Sequence, residues 1–387
     1  MISKLPNLRT WIEINTKALH SNVERFLRLI PEDTRLMAVV KSNAYGHGLV
    51  HIAKALLALR PTRRGLSTGG SFSEGGCFGV DSITEGLRLR RENIKSSILI
   101  LGYTIPDLFR EAFRKELVVS IADFNSLNEF GRLRDKPKFF IKIDSGMHRR
   151  GFLPEQIKQL LSFVQNKNLK PMGVFSHFAS ASDTAHKLHS KKQIKVFQNI
   201  SDQFKMAGFD NLIRSMSATG GTIFYPDAHL DMVRIGMGIY GYPPSPPPRR
   251  NLESELTPVL SWKTFVSEIK EIPAGSSVGY NFLHKVKSKS QIAILPVGYW
   301  HGYDRRLSNK GEVLVCGRRA SVIGLISMDM VIVDVTGIDK IKVGDEVVLI
   351  GRQGQESIWA DELARKIDCS HYELLTRINP LIKRVEV

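Results

Sequence analysis

Cysteine is scarce in this chain. Cys77, Cys316 and Cys369 are the only three in 387 residues, they stand far apart, and none has a CxxC partner. That argues against a disulfide scaffold or a zinc ribbon, leaves no metal to expect, and fits a reducing cytoplasm. Long apolar runs are missing too. No stretch reaches the ~20 residues a membrane-spanning helix needs, and residues 1–30 hold no long apolar segment framed as a signal peptide. A cytoplasmic protein that does not enter membranes is the expectation. No glycine-rich dinucleotide fingerprint comes after the first strand-like run, which removes the main support for an open doubly wound sheet. "RRGLSTGGSFSEGG" at 63–76 lacks the lysine and helix of a phosphate-binding P-loop and reads as a surface loop. Basic residues abound, with a net charge of +17, yet the densest pieces, "RPTRRG" at 60–65, "LRLRREN" at 87–93 and "PPPRRN" at 246–251, have no interleaved aromatic ladder. They read as solvated faces and loops, so no specific nucleic-acid partner is expected beyond weak, salt-sensitive association with polyanions.

What is present is ordinary globular material. With 42% hydrophobic and 24% charged residues, 387 residues suffice for two or three domains with a sizeable core. Over the first 245 residues, apolar runs alternate with amphipathic helical stretches such as 16–30 and 153–165. Eight strand-like runs stand out: 35–41, 77–80, 97–102, 117–122, 138–144, 171–178, 211–217 and 231–236. Strands linked by helical crossovers predict an α/β fold, a (β/α)8 TIM-type barrel. Prolines 243, 244, 246, 247 and 248 then form a stiff, non-helical connection. From there to the C-terminus β-type runs dominate, so a mainly antiparallel β domain is expected.

Within "AVVKSNAYGHG" at 38–48, Lys41 ends an apolar run directly before a polar turn. The residues alone allow two readings: a solvated strand edge, or an amine tuned by partial burial for covalent catalysis. Read singly, His177 could be a core histidine, Arg234 an ion-pair partner, and Tyr280 packing in the β domain.

In combination the motifs are far more specific. "TWIEINTKALHSN" (10–22), "AVVKSNAYGHG", "KIDSGMHRRGF", "FSHFASA", "SATGG", "DMVRIGMGIYG", "SVGYNFLHK", "PVGYWHGYDRRLSN" and "GLISMDM" succeed one another in the order and approximate spacing of the alanine racemase family. The chain resembles that family over nearly its whole length. The resemblance implies a barrel that binds pyridoxal phosphate over 1–245, whose opening segment 1–15 packs on the C-terminal domain. It further implies a β domain over 246–387 that contributes the catalytic tyrosine, and a homodimer with shared active sites.

By the same resemblance, Lys41 binds the cofactor's aldehyde covalently and serves one face of the substrate, and Tyr280 serves the other. A phenol is a poor base at neutral pH without help. The implied help is a hydrogen-bonded chain through His177 to Arg234, which donates to the cofactor's ring nitrogen. Tyr45, Thr219 with Gly220 and Gly221, and Gly236 with Met237 match phosphate contacts. Arg149 matches a donor near the substrate carboxylate, with Arg150 left as scaffold, and Lys142 matches a lysine that can be carbamylated to position that arginine. Tyr299, Met328 and Asp329 match residues lining or supporting the substrate entrance of the partner chain. The activity implied is interconversion of L- and D-alanine, supplying D-alanine for peptidoglycan. Racemisation of serine or a broader set is the nearest chemical alternative, and a non-catalytic pyridoxal-phosphate carrier or regulator is the alternative of another class. Such a carrier would need no β domain bearing Tyr280.

Three departures from the family pattern concern the entrance. "GYADGY" appears as "GYWHGY", with Trp300 and His301 where a small residue and an acid are usual. "THFATAD" appears as "SHFASAS", with Ser182 in place of an aspartate, and "NPLIKRVEV" departs from "RVPR" with no tyrosine immediately before it.

Overall fold

A computed structural model describes residues 8–59, 76–244 and 256–387. Most of the 63–76 loop, both basic pieces at 60–65 and 246–251, and prolines 246, 247 and 248 lie outside the described residues. Two compact units form, and neither is continuous in sequence. One gathers Lys17–Ala44 and Ile52–Thr257; the other gathers the segment up to Thr16, Tyr45–His51 and Pro258–Val387.

The first unit is the barrel. Opening strand β1 (Thr10–Ile14) belongs to the other unit, and the barrel is built from β2 (Arg35–Val39), β3 (Cys77–Val80), β4 (Ser97–Ile100), β5 (Val119–Ile121), β6 (Phe139–Lys142), β7 (Gly173–Phe175), β8 (Ile213–Ser215) and β9 (Met232–Ile235). Each falls inside one of the eight apolar runs. Pairing is parallel throughout two arcs, β4-β3-β2-β9 and β5-β6-β7-β8. Parallel bridges Leu99–Val118 and Ala218–Arg234 join the arcs, so the ring closes. Strands covered on both faces should be apolar without alternation, and β3, β4 and β6 are buried along nearly their whole length. Inside the ring, Met37, Leu99, Val118, Phe140, Phe175 and Met232 form a packed layer. Gly173 makes room for it: a Cβ there would lie 2.4 Å from the Phe140 ring and 2.2 Å from the carbonyl oxygen of Ile213.

Outer helices bury one stripe each. The helix Thr16–Leu29 turns Ala18, Leu19, Asn22, Val23 and Phe26 inward, the spacing of a single helical face. Its buried Asn22 is satisfied by donating to the carbonyls of Ile239 and Thr257 at 3.1 and 2.8 Å and accepting from the Thr257 amide at 3.0 Å. Ser82 and Asp123 cap the helices Ile83–Arg91 and Phe124–Arg132 by accepting from amides of the first turn.

The second unit is a sheet of β10 (Leu260–Phe265), β11 (Glu268–Ile272), β14 (Ser290–Leu295), β15 (Glu312–Val315), β16 (Arg318–Val322), β17 (Val331–Asp334), β18 (Glu346–Gln353) and β20 (Lys383–Glu386), joined by β1. The order is β11-β14-β17-β16-β15-β18-β10-β1-β20, with β19 (Glu356–Ile358) on β18 and a separate hairpin of β12 (Ser277–Val278) and β13 (His284–Lys285). Every pairing is antiparallel except β1 with β20. β1 is held laterally by Trp262 Nε1, which donates to Thr10 Oγ1 at 2.7 Å, and by Lys263, whose Nζ lies 2.9 Å from Glu13 and 3.2 Å from Glu346. Among the described residues, no helix is long and apolar enough to cross a membrane.

Because the barrel interior is close-packed, Phe140→Ala should lower unfolding free energy by about 3–5 kcal/mol. Urea midpoints with an unchanged slope would report it. A loss below about 1 kcal/mol would mean that this layer collapses around the gap.

Candidate active site

The residues singled out in the barrel converge on the carboxyl ends of its strands, the face where barrels of this kind place their chemistry. Lys41 comes after β2, Lys142 ends β6, His177 comes after β7, Thr219 after β8, and Gly236 after β9. The β2 run does not continue to Lys41 as a strand. It ends at Val39, and Ser42, Asn43, Ala44 and Tyr45 all adopt left-handed geometry with φ of 52–54°. Each such L-residue costs about 1–2 kcal/mol, so this turn persists only because its surroundings impose it. Lys41 is left half-exposed, its Nζ 3.7 Å from Asp81 Oδ1.

Arg234 is the buried hub. Its Nη1 donates to Ser215 Oγ at 2.5 Å, and its Nη2 donates to the carbonyls of Ser176 and Met216 at 2.6 and 3.2 Å and lies 3.3 Å from His177 Nδ1. A guanidinium has only donors, so His177 Nδ1 must be the acceptor and, in the neutral ring, Nε2 carries the proton. Neutrality is enforced. Burial first, then the cations Arg234, Lys142, Arg149 and Lys41, hold His177 well below its ordinary value. Burial also pulls Arg234 down to about 10, which leaves it charged at neutral pH.

Lys142 is buried, with Nζ 4.5 Å over the Phe175 ring. Burial, reinforced by Arg234 and Arg149 and only partly offset by Asp144, lowers its amine to about 7. Arg149 sits on a loop held by Asp144. Oδ1 of Asp144 accepts from the amides of Gly146, Met147 and His148 at 2.9–3.0 Å, and Oδ2 accepts from the Arg149 amide at 2.9 Å. Burial alone would raise this carboxyl; the four amides outweigh it and hold the group below its usual range. Arg150 turns back to the carbonyls of Leu101 and Ser120 and lies 5.6 Å over the Tyr103 ring.

Thr219 is buried at the start of the short helix Thr219–Phe224, and its Oγ1 accepts from the Gly238 amide at 3.3 Å. Gly221 packs so closely that a Cβ would lie 2.8 Å from both the Phe178 ring and Ser217 Oγ. A strand-end amine, a charged guanidinium, a hydroxyl and first-turn amides form a donor set that fits a phosphorylated aldehyde.

In the sheet unit, Tyr45 packs edge-on against Tyr372 with ring centroids 6.0 Å apart. Arg384, inside the "NPLIKRVEV" stretch but given no role by the sequence, is buried and clamps the same segment, donating from Nε and Nη2 to the Gly46 carbonyl at 3.3 and 2.8 Å. Gly46 has φ +88°, and a Cβ there would lie 2.1 Å from the Leu375 carbonyl oxygen. Asp144, Asp81 and Arg384 are the site-shaping residues missed from sequence. For the first two, an acid just past a strand end was the available signal. Tyr280 is exposed at 65%, close to Phe282 and Leu283, also exposed. Tyr299 and Met328 come together because the Tyr299 amide donates to the Ser327 carbonyl at 3.1 Å and the Trp300 amide to the Met328 carbonyl at 3.0 Å.

A closed parallel barrel with this rim, succeeded in the chain by a mainly antiparallel sheet unit, defines a barrel protein whose strand ends gather an amine and anion-binding donors. Residues 14–68 and 71–244 match the family model "Alanine racemase, N-terminal domain", and 259–386 match "Alanine racemase, C-terminal domain". The chain belongs to the alanine racemase family. It is 36% identical over 391 residues to the alanine racemase of Leptospira interrogans, covering 98% of this chain and 96% of that relative. The crystal structure of alanine racemase from Bacillus anthracis with bound L-Ala-P superposes with a TM-score of 0.88 at 30% identity, covering 98% of this chain and 95% of that one. Alanine racemase from Bartonella henselae with covalently bound pyridoxal phosphate gives 0.83 at 25% identity, over 98% and 100% of the two chains.

The lowered amine of Lys142 sets the direction of a pH effect. With the folded value lowered to about 7 from 10.5, the unfolded chain binds more protons between those limits, so stability should rise with pH across that window. In carbonate-free buffer, Lys142→Met should remove the rise. Parallel pH dependences of the urea midpoint in variant and wild type would contradict it.

Proposed function

We propose that this chain is a pyridoxal-phosphate-dependent alanine racemase, interconverting L- and D-alanine and supplying D-alanine for peptidoglycan from the cytoplasm. The observation that carries the reading is the buried Arg234, charged at neutral pH and set against a His177 kept neutral, on the rim that also holds Lys41. When bound, pyridoxal phosphate supplies the electron sink that makes the α-proton of an amino acid removable.

The chain's own residues do the rest. Lys41 would hold the cofactor and, once released by substrate, would take or return the proton on one face. Arg234 donates to the ring nitrogen and keeps its own protons, because a guanidinium yields them far less readily than a pyridine. That restrains the electron sink and favours return of the proton to carbon. Tyr280 of the partner subunit works on the opposite face. His177, with Nδ1 engaged by Arg234, turns its Nε2 proton toward that phenol and steadies it as the proton leaves and returns.

Thr219, Gly220 and Gly221 of the first helical turn, Gly236, Met237 and Tyr45 would hold the phosphate. Arg149 takes the substrate carboxylate. Lys142, surrounded by Arg234, Arg149 and Arg150 with its amine lowered to about 7, is suited to addition of carbon dioxide. The resulting carbamate would replace a buried cation with an anion that pairs with Arg149. Tyr299, Met328 and Asp329 bound the entrance. A homodimer is supported by the exposure of Tyr280, Phe282, Leu283, Tyr299, Trp300, Met328 and Met330 on one unit, an apolar collection that a second copy would cover.

Borohydride reduction of the holoenzyme, followed by proteolysis, should return the phosphopyridoxyl label on Lys41. A label confined to another lysine, or no cofactor bound after reconstitution, would overturn the assignment. A panel of L-amino acids, assayed for the D-enantiomer, should give alanine the highest kcat/KM.

The shared site has its own test. Lys41→Ala and Tyr280→Phe chains, each inactive, should complement when subunits exchange, because one site of every mixed dimer pairs an intact lysine with an intact tyrosine. Random reassortment makes half the dimers mixed, so activity should approach roughly a quarter of wild type. Verified mixed dimers no more active than either parent would place both residues in one chain.

A further inference from the structure

His301 replaces the acid of the family pattern at the centre of the turn that presents Tyr299, and its ring does a job an acid could do without titrating. The Gly298 amide donates to His301 Nδ1 at 3.1 Å. The turn lies tightly against the neighbouring loop: a Cβ on Gly298 would be 2.2 Å from the Ser327 carbonyl oxygen and 2.4 Å from that of Met328. The Tyr299 and Trp300 amides bond to those same two carbonyls. On the far side, the Asn379 amide donates to the His301 carbonyl at 3.0 Å, and Asn379 Nδ2 donates to that of Trp300 at 3.1 Å. Asp329, next to Met328, places Oδ1 3.9 Å from the same Nδ1.

We propose that His301 is a positioning residue: neutral, its Nδ1 accepts from Gly298 and sets Tyr299 and Met328 for substrate; protonated, it surrenders that bond and turns to Asp329. The inference rests on the reading of Tyr299 and Met328 as residues that bound the substrate entrance. Imidazolium has two donors and no acceptor, so the Gly298 contact and a proton on Nδ1 exclude each other. The charged groups acting on the ring are Asp329, which favours the proton, and Arg9, which opposes it; Arg305 faces the Tyr299 ring at 5.9 Å. Burial outweighs Asp329 and keeps the imidazole below its ordinary value. The neutral form therefore prevails at neutral pH and is lost on acidification. An aspartate in this place would accept from Gly298 throughout that range.

In wild-type holoenzyme, KM for L-alanine should rise severalfold as pH falls below about 6.5, with a smaller change in kcat. His301→Asp should flatten that rise, and Asp329→Asn, which removes the carboxylate charge that favours the His301 proton, should move it to lower pH. An acid limb in His301→Asp identical to that of wild type would overturn the proposal. Independently of activity, the Gly298 amide resonance of the wild-type holoenzyme should titrate with the same midpoint as the His301 ring. An amide that stays fixed while the ring titrates would equally overturn it. Absence of racemisation at every pH would defeat the underlying reading and the role assigned through Tyr299, while the amide titration would still decide the proton-driven contact.

Discussion

A guanidinium buried at the rim of the barrel sets the geometry on which the rest of the site depends. Taking a charge out of water costs several kcal/mol unless its protons are satisfied, and Arg234 meets that cost with Ser215 Oγ and the carbonyls of Ser176 and Met216. Those acceptors sit at the ends of β7 and β8, while Arg234 itself belongs to β9. One side chain therefore ties three adjacent strand ends, and their loops carry His177, Thr219 and Gly236. The same bonds decide the histidine's tautomer. A donor-only neighbour makes Nδ1 an acceptor, and burial, reinforced by the surrounding cations, keeps the ring from answering with a second proton. The tautomer thus follows from the buried guanidinium, and neutrality from burial reinforced by four nearby cations.

A second constraint is stored in the backbone. Four consecutive left-handed residues come directly after Lys41, and neither Ala44 nor Tyr45 has the short polar side chain that eases such geometry. Further along, Gly46 is pressed against Leu375 and gripped by Arg384. Only a residue without a Cβ permits that approach. Strain of this kind directly after a strand end persists only where the surrounding packing holds it.

Much of the fold was legible because parallel strands covered on both faces must be apolar throughout, and eight such runs between amphipathic helices leave few arrangements open. Strand ends were less legible. The run through Lys41 reads as one strand, but β2 stops at Val39 because tertiary packing, not local preference, imposes the left-handed turn. The antiparallel character of the C-terminal part was apparent from composition. The parallel pairing of β1 with β20, which brings together segments from the two ends of the described chain, has no local signature. Within the site, residue types and motif order pointed to Lys41, His177, Arg234 and Thr219, which the fold gathers at one end of the barrel. Asp144 lies inside "KIDSGMHRRGF", yet its four amide contacts are a property of the loop's path. Arg384 could not be seen, because its partner is a backbone carbonyl 338 positions away.

The chain's net charge of +17 invites a search for a polyanion, but the charge with chemical consequence is local. Lys41, Lys142, Arg149 and Arg234 all bear on His177. Asp81 stands near Lys41, and the Asp144 carboxylate is engaged by four backbone amides and only partly offsets the field at Lys142. The rim therefore remains positive, and low-dielectric walls strengthen that field. Two anionic groups, a phosphate and an amino-acid carboxylate, suit such a rim better than any extended polymer, because the charges are gathered at strand ends rather than spread along a surface. Burial does most to make Lys142 lose its proton so readily, and the neighbouring Arg234 and Arg149 add to it, with Asp144 only a partial offset.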